Sequence, residues 1–146
     1  MALPERLQRI YDRYSEIDRN RGDYRYMKAL QSLVQFYERL GDDPAMIDVV
    51  VDALIEDYEA KQSEIVSLLQ EKNFDRLCAV ARELQSSIRH VVDEDIIEDA
   101  REVERASAEG NLLRAYCAWS SLYEKLFPVF NMLRQIRRTD ASQPHT

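Results

Sequence analysis

The stretch that decides the fold is NFDRLCAVARELQSSIRHVV, residues 73–92. At about 100° per residue, its apolar side chains fall on one side of a helix, which predicts a face turned to a core. That face consists of Leu77, Val80, Ala81, Leu84, Ile88 and Val91. A second side is polar with a cysteine at its edge, and we interpret it as a surface for a partner protein, the alternative being an ordinary solvated helix face. This second side consists of Cys78, Arg82, Gln85, Ser86 and Arg89.

Helical spacing continues on both sides of this stretch and predicts an all-α chain. Breaks such as Gly41–Pro44, where Asp43 can cap a helix that has Pro44 in its first turn, separate the helices. The predicted helices cover about residues 4–20, 24–40, 44–72, 73–92, 93–110 and 111–138. Pro128 should kink or interrupt the last helix, whose aromatic residues we expect in the core. These are Tyr116, Trp119, Tyr123 and Phe130.

Short connections between these helices favour antiparallel neighbours. We therefore predict a single domain over residues 1–138, with an antiparallel four-helix bundle over about residues 44–138. Additional N-terminal helices over about residues 4–40 should pack on the bundle. Residues 139–146 are polar and are predicted to form a flexible tail.

The composition fits one soluble helical domain. The chain has 146 residues, of which 45% are hydrophobic and 32% charged, and this length allows a core of its own. The formal net charge of −7 argues against nucleic-acid binding, which needs a basic surface. No apolar run approaches the roughly 20 residues that span a bilayer, and the first residues lack the apolar core of a signal peptide. We expect no membrane partner and a cytoplasmic location, or a nuclear one in a eukaryote.

Metal and cofactor chemistry is not expected. The chain has two histidines, His90 and His145, and lacks the Glu-x-x-His pairs with which helical bundles hold two metal ions. Cys78 and Cys117 lie far apart on predicted helices and are interpreted as reduced thiols. Residues 93–109 contain eight acids and two arginines, which predicts a capped helix start and an acidic flank. We predict no enzyme activity, no metal and no cofactor.

The stretch resembles the central helix of histidine phosphotransfer (Hpt) domains, which pass a phosphoryl group to or from an aspartate of a receiver domain. The family signature is Ala-His-x-Leu-Lys-Gly-Ser, and residues 81–87 read Ala-Arg-Glu-Leu-Gln-Ser-Ser. Arg82 stands where the family has its phosphorylated histidine. Gln85 replaces a lysine that steadies the phosphate, and Ser86 replaces a glycine that allows close approach. The stand-alone plant proteins of the family are the most similar in arrangement.

The resemblance implies a pseudo-Hpt protein, a negative regulator or adaptor that binds receiver domains of response regulators or hybrid histidine kinases without carrying phosphate. An acceptor needs an imidazole nitrogen, and an arginine stays protonated. Two alternatives remain. One is a helical interaction module with no tie to phosphorelay. The other is an active carrier using His90, which lies eight residues beyond Arg82 and about 80° round the helix.

Overall fold

The part of the protein that the structure describes consists of helices joined by short turns. The computed structural model describes the backbone of residues 3–41 and 43–141 and the side chains of residues 5–41, 43 and 45–137. Within those ranges the helices are α1 (Leu3–Arg21), α2 (Arg25–Leu40), α3 (Pro44–Glu71), α4 (Phe74–Ile88), α5 (Glu94–Ala108) and α6 (Leu112–Ala141). The predicted all-α fold is confirmed.

Helices α3 to α6 form the bundle. Each packs against the next, and α6 packs back against α3, so the four helices close a ring around one core. Tyr58 of α3 stacks on Phe130 of α6, with ring centroids 3.9 Å apart. Asp52, earlier on α3, accepts a hydrogen bond of 2.6 Å from Nε of Arg137, later on α6. The two helices therefore run in opposite directions, and the predicted antiparallel four-helix bundle is confirmed.

The N-terminal helices pack on the outside of the bundle, as predicted. Both α1 and α2 contact α6, and α2 also contacts α3. Nδ2 of Asn131 on α6 donates to the hydroxyl of Tyr14 on α1 at 3.1 Å. The Tyr14 ring in turn stacks on Tyr26 of α2, with centroids 4.3 Å apart. Tyr14 thus links all three helices.

Side-chain caps set the starts of the bundle helices. Asp43 accepts from the backbone nitrogens of Ala45 and Met46, as its place before Pro44 predicts. Asn73 accepts from the backbone nitrogen of Arg76 at the start of α4, and Asp93 from that of Ile96 at the start of α5. The left-handed Lys72, with φ of 57°, ends α3 just before the Asn73 cap.

Helix α4 ends at Ile88, four residues before the predicted end at Val92. A tight turn follows, in which the backbone nitrogen of Val91 donates to the carbonyl of Ile88 at 2.9 Å. Val91 is still fully buried, so its apolar side chain reaches the core from the turn. The apolar period of the sequence therefore continues beyond the end of α4. Arg89 is the C-cap residue of this helix.

Helix α6 runs through Pro128 without interruption and extends to Ala141. A proline removes one backbone donor, but the fully buried Leu126 and Phe130 hold the helix in the core on either side of it. Residues 139–141 of the predicted tail are thus helical, and residues 142–146 lie outside the described part. None of the helices described has the length and apolar character for crossing a membrane.

Candidate functional site

Arg82 lies on the exposed face of α4 and forms an ion pair with α5. Its Nε donates to Oε2 of Glu104 across 3.0 Å. The side chain of Arg82 is 71% exposed, whereas that of Glu104 is 22% exposed. No side chain in the described part of the protein accepts from the two terminal nitrogens of Arg82. Arg82 therefore presents a positive charge at the surface, with one guanidinium nitrogen bonded to Glu104 and two nitrogens able to donate to a partner.

Gln85 donates a hydrogen bond to the same Glu104 carboxylate from a buried position on α4. Its Nε2 donates to Oε1 of Glu104 at 3.0 Å, and the residue is only 7% exposed. The prediction that Gln85 belongs to the exposed polar side is therefore wrong. Position 85 lies at the edge of that side, where α5 packs against α4 and covers it.

The electrostatics keep both members of the pair charged. The hydrogen bond from Gln85 is the largest influence on Glu104, burial opposes it, and the bond from Arg82 adds to it, so the pKa of Glu104 lies below its ordinary value. The hydrogen bond and charge of Glu104 raise the pKa of the Arg82 guanidinium. We name the three residues Arg82, Gln85 and Glu104 the α4–α5 polar cluster.

The other predicted contact residues lie around this cluster. Ser86 and Arg89 are exposed, and neither side chain has a polar partner within the described residues. Cys78 is half-buried. Arg89 is the C-cap residue of α4 and keeps helical backbone angles, with φ of −50° and ψ of −34°, so helical spacing still places it on the side of Arg82 and Ser86. Arg82, Ser86 and Arg89 thus give one exposed polar surface, while Gln85 supports it from inside.

His90 is exposed in the turn after α4. Its backbone carbonyl accepts from Nη2 of Arg39, near the end of α2, at 2.9 Å. Its ring takes no part in the α4–α5 polar cluster. No three histidine, cysteine, aspartate or glutamate side chains among residues 5–41, 43 and 45–137 are grouped to hold a metal ion.

The acidic run on α5 is balanced by arginines. Arg101 pairs with Glu94 and Glu98, and Arg105 pairs with Glu98 and Glu102. Arg114 of α6 bridges Glu102 and Glu109. The predicted acidic flank is therefore largely a network of alternating charges. Part of the signal was in the sequence, since Glu98 with Arg101 and Glu102 with Arg105 have the i, i+3 spacing of helical ion pairs.

Ser87 is the last residue of the signature-like segment, and its hydroxyl donates to the carbonyl of Glu83 within α4 at 3.2 Å. On α3, burial alone would raise the pKa of Asp57, but the hydrogen bond and charge of Lys61 lower it below its ordinary value. The Lys61 ammonium is itself largely shielded, with 15% of its side chain exposed. Ser87 therefore bonds within its own helix, and Lys61 is the residue that pairs with Asp57 on α3.

An aromatic strip on α6 was missed by the sequence analysis. Tyr116, Tyr123 and Phe127 are 50%, 38% and 46% exposed, so the prediction that Tyr116 and Tyr123 lie in the core is wrong. Val66 of α3 lines a shallow groove together with Tyr116 and Tyr123, and the ring centroids of Tyr123 and Phe127 are 6.4 Å apart. Their spacing of seven and four residues shows one helix face but does not show whether another element covers it.

No metal, cofactor or catalytic group is needed to explain the α4–α5 polar cluster, which can present a fixed cation to an acidic partner. Comparison of the chain with protein-family models, with curated proteins and with solved structures finds no match. The resemblance to Hpt domains thus rests on the residues of α4 and stays a prediction.

Proposed function

We propose that this protein binds receiver domains of phosphorelays through the exposed face of α4 and carries no phosphoryl group. One observation carries the proposal. The segment that resembles the Hpt signature lies in a helix of an antiparallel four-helix bundle, with Arg82 at the acceptor position and exposed to solvent. A guanidinium cannot act as the nucleophile that accepts a phosphoryl group.

In this mechanism the protein occupies the acidic pocket of the receiver but transfers no phosphoryl group. Receiver domains, as a family, surround their phosphorylated aspartate with further carboxylates. The terminal nitrogens of Arg82, which have no partner among the described side chains, can donate to one such carboxylate as a planar fork. Arg89 adds a second exposed positive charge on the same surface, which favours association with an acidic partner. A receiver held in this way is unavailable to a true carrier, so the protein acts as a negative regulator or adaptor.

Titration with a receiver domain tests this proposal. Arg82→Glu places a like charge against the acidic pocket and should weaken binding by at least about tenfold, or about 1.4 kcal/mol. Arg19→Glu makes the same charge change on exposed α1, which has no contact with α4, and should leave affinity unchanged. Failure of the parent protein to bind receivers, or equal affinity of the Arg82→Glu variant, would overturn the proposal.

The second candidate is a helical interaction module outside phosphorelay. The exposed aromatic strip on α6 favours it, because aromatic side chains are enriched at protein interfaces and costly to leave in water. Phe127→Ser and Arg82→Glu separate the two candidates. A partner other than a receiver that is lost with Phe127→Ser and kept with Arg82→Glu supports the interaction module, whereas the opposite pattern with a receiver supports the first candidate.

A further inference from the structure

We infer that Glu104 is a positioning residue, which holds Arg82 so that its two terminal nitrogens form a preset fork for one carboxylate of an acidic partner. The inference rests on the proposed receiver-binding function and names the part of the site that sets its geometry. Glu104 lies on α5, outside the segment that resembles the Hpt signature.

The contact with Glu104 uses the inner nitrogen of the Arg82 guanidinium. Glu104 accepts from Nε of Arg82 at 3.0 Å and leaves the terminal nitrogens without a partner within the described residues. A guanidinium is planar, so fixing Nε also restricts the plane in which the other donors lie. A carboxylate that approaches along the open edge of this plane can accept two parallel hydrogen bonds.

Glu104 is itself held in place by two hydrogen bonds. Each of its oxygens accepts one bond, Oε1 from the buried Gln85 and Oε2 from Arg82, both at 3.0 Å. Because Gln85 is only 7% exposed, its own freedom is restricted by packing. The buried amide of Gln85 therefore positions the carboxylate of Glu104, and this carboxylate in turn positions the exposed guanidinium of Arg82. Such an inner shell reduces the rotamer freedom that Arg82 must lose on binding.

Electrostatics alone gives the opposite expectation for Glu104. Its negative charge lies next to a surface that is to meet carboxylates, and like charges across an interface weaken binding. If Glu104 only neutralised Arg82, removing it would strengthen binding. If it positions Arg82, removing it weakens binding. The sign of the change therefore decides between the two roles.

The test compares receiver affinities of the parent, Glu104→Ala and Glu104→Gln. We expect Glu104→Ala to bind about two- to tenfold more weakly, the loss associated with ordering one long side chain. Glu104→Gln is neutral but still has an oxygen that can accept from Nε of Arg82, so it should recover most of the affinity. Glu98→Ala removes an acid on α5 that pairs with Arg101 and Arg105 and should show no comparable loss.

A second readout does not require a partner. In the parent, the Nε–H signal of Arg82 in nitrogen-resolved NMR should be protected from exchange with water, and Glu104→Ala should abolish that protection while Glu104→Gln retains it. Circular dichroism establishes that each variant is folded. Unchanged or tighter receiver binding by folded Glu104→Ala overturns the inference alone. Absence of binding by the parent overturns the proposed function instead.

Discussion

Oδ2 of Asp18 lies 2.8 Å from the backbone nitrogen of Met27, nine residues later in the chain. Oδ1 of the same carboxylate accepts from the backbone nitrogen of Tyr26 at 3.1 Å. Asp18 is only 2% exposed, and Tyr24 at the N-cap of α2 contributes no side-chain bond. A buried carboxylate of α1 thus caps α2 and stabilises the N-terminal hairpin.

Asp18→Ala should lower the free energy of unfolding by about 2–3 kcal/mol, because it removes charged hydrogen bonds to two backbone donors, one buried and one partly buried. Chemical denaturation measures the loss. Asp12→Ala is the matched control, since the Asp12 carboxylate is exposed and, among the side chains that the structure describes, accepts from Gln8 of its own helix alone. Equal stabilities of the two variants would contradict the capping role.

Gln85→Ala should cost about 1–3 kcal/mol, because the change removes a buried amide that donates to a carboxylate. A surface position, as the sequence predicted, would cost well under 1 kcal/mol. Ser86→Ala alters the exposed neighbour and should stay within about 0.5 kcal/mol of the parent. Equal free energies of unfolding for Gln85→Ala and Ser86→Ala would mean that the Gln85 side chain does not stabilise the fold.

Leu84→Ala should cost about 2–5 kcal/mol, as expected when a large side chain is removed from a packed interior. Leu84 is 1% exposed, whereas Leu113 on α6 is 75% exposed. Leu113→Ala, which makes the same chemical change at the surface, should cost less than about 0.5 kcal/mol. Thermal or urea unfolding gives both values, and a reversed order would contradict the packing of α4.

The protein should take up no phosphoryl group from a phosphorylated receiver or from acetyl phosphate. The acceptor position carries Arg82, which lacks a nucleophilic nitrogen, and the exposed His90 lies outside the α4–α5 polar cluster. Mass spectrometry under conditions that preserve phosphohistidine tests this, with an active Hpt protein as a positive control. An acid-labile phosphate on His90 would favour the carrier alternative.

The pH dependence of stability should reveal the contribution of the ionised Asp57 carboxylate to the free energy of unfolding. Its pKa is lowered in the folded protein, so its contribution is present above the ordinary value of about 3.9 and is lost as the pH falls through the lower folded-state value. Asp57→Asn should therefore destabilise the protein at pH 7 and destabilise it less at an acidic pH below the ordinary pKa. Glu56→Gln, a change at the exposed neighbouring acid, is the control for urea denaturation at the two pH values.

The bundle could be predicted because its core positions repeat at helical spacing and its helix starts carry recognisable caps. Asp43 and Asp93 mark the starts of α3 and α5, where they accept from backbone nitrogens as expected. The end of α4 could not be predicted in the same way. Val91 keeps the apolar period but reaches the core from a turn, so periodicity extended the helix too far.

The site was predicted in part. Arg82 is exposed as expected, but its partner Glu104 lies 22 residues later, and spacing within one helix gives no information on that contact. The burial of Gln85 likewise depends on where α5 lies against α4. On α6, helical spacing grouped Tyr116 with core residues although no other element in the described structure buries it. The partner of Arg82 and the exposure of Gln85 and Tyr116 depend on how the helices pack against one another, which the helical period of one segment does not show.

The link between Tyr14 and Asn131 joins residues that are 117 positions apart in the chain. The ribosome therefore makes the N-terminal hairpin long before it makes the helix against which that hairpin docks. Until α6 emerges, the faces of α1 and α2 that will pack on it stay exposed, and slow closure of such distant contacts gives time for association with other chains. Substitutions that weaken α6 should accordingly lower the yield of correctly folded protein during synthesis more than they lower the stability of protein that has already folded.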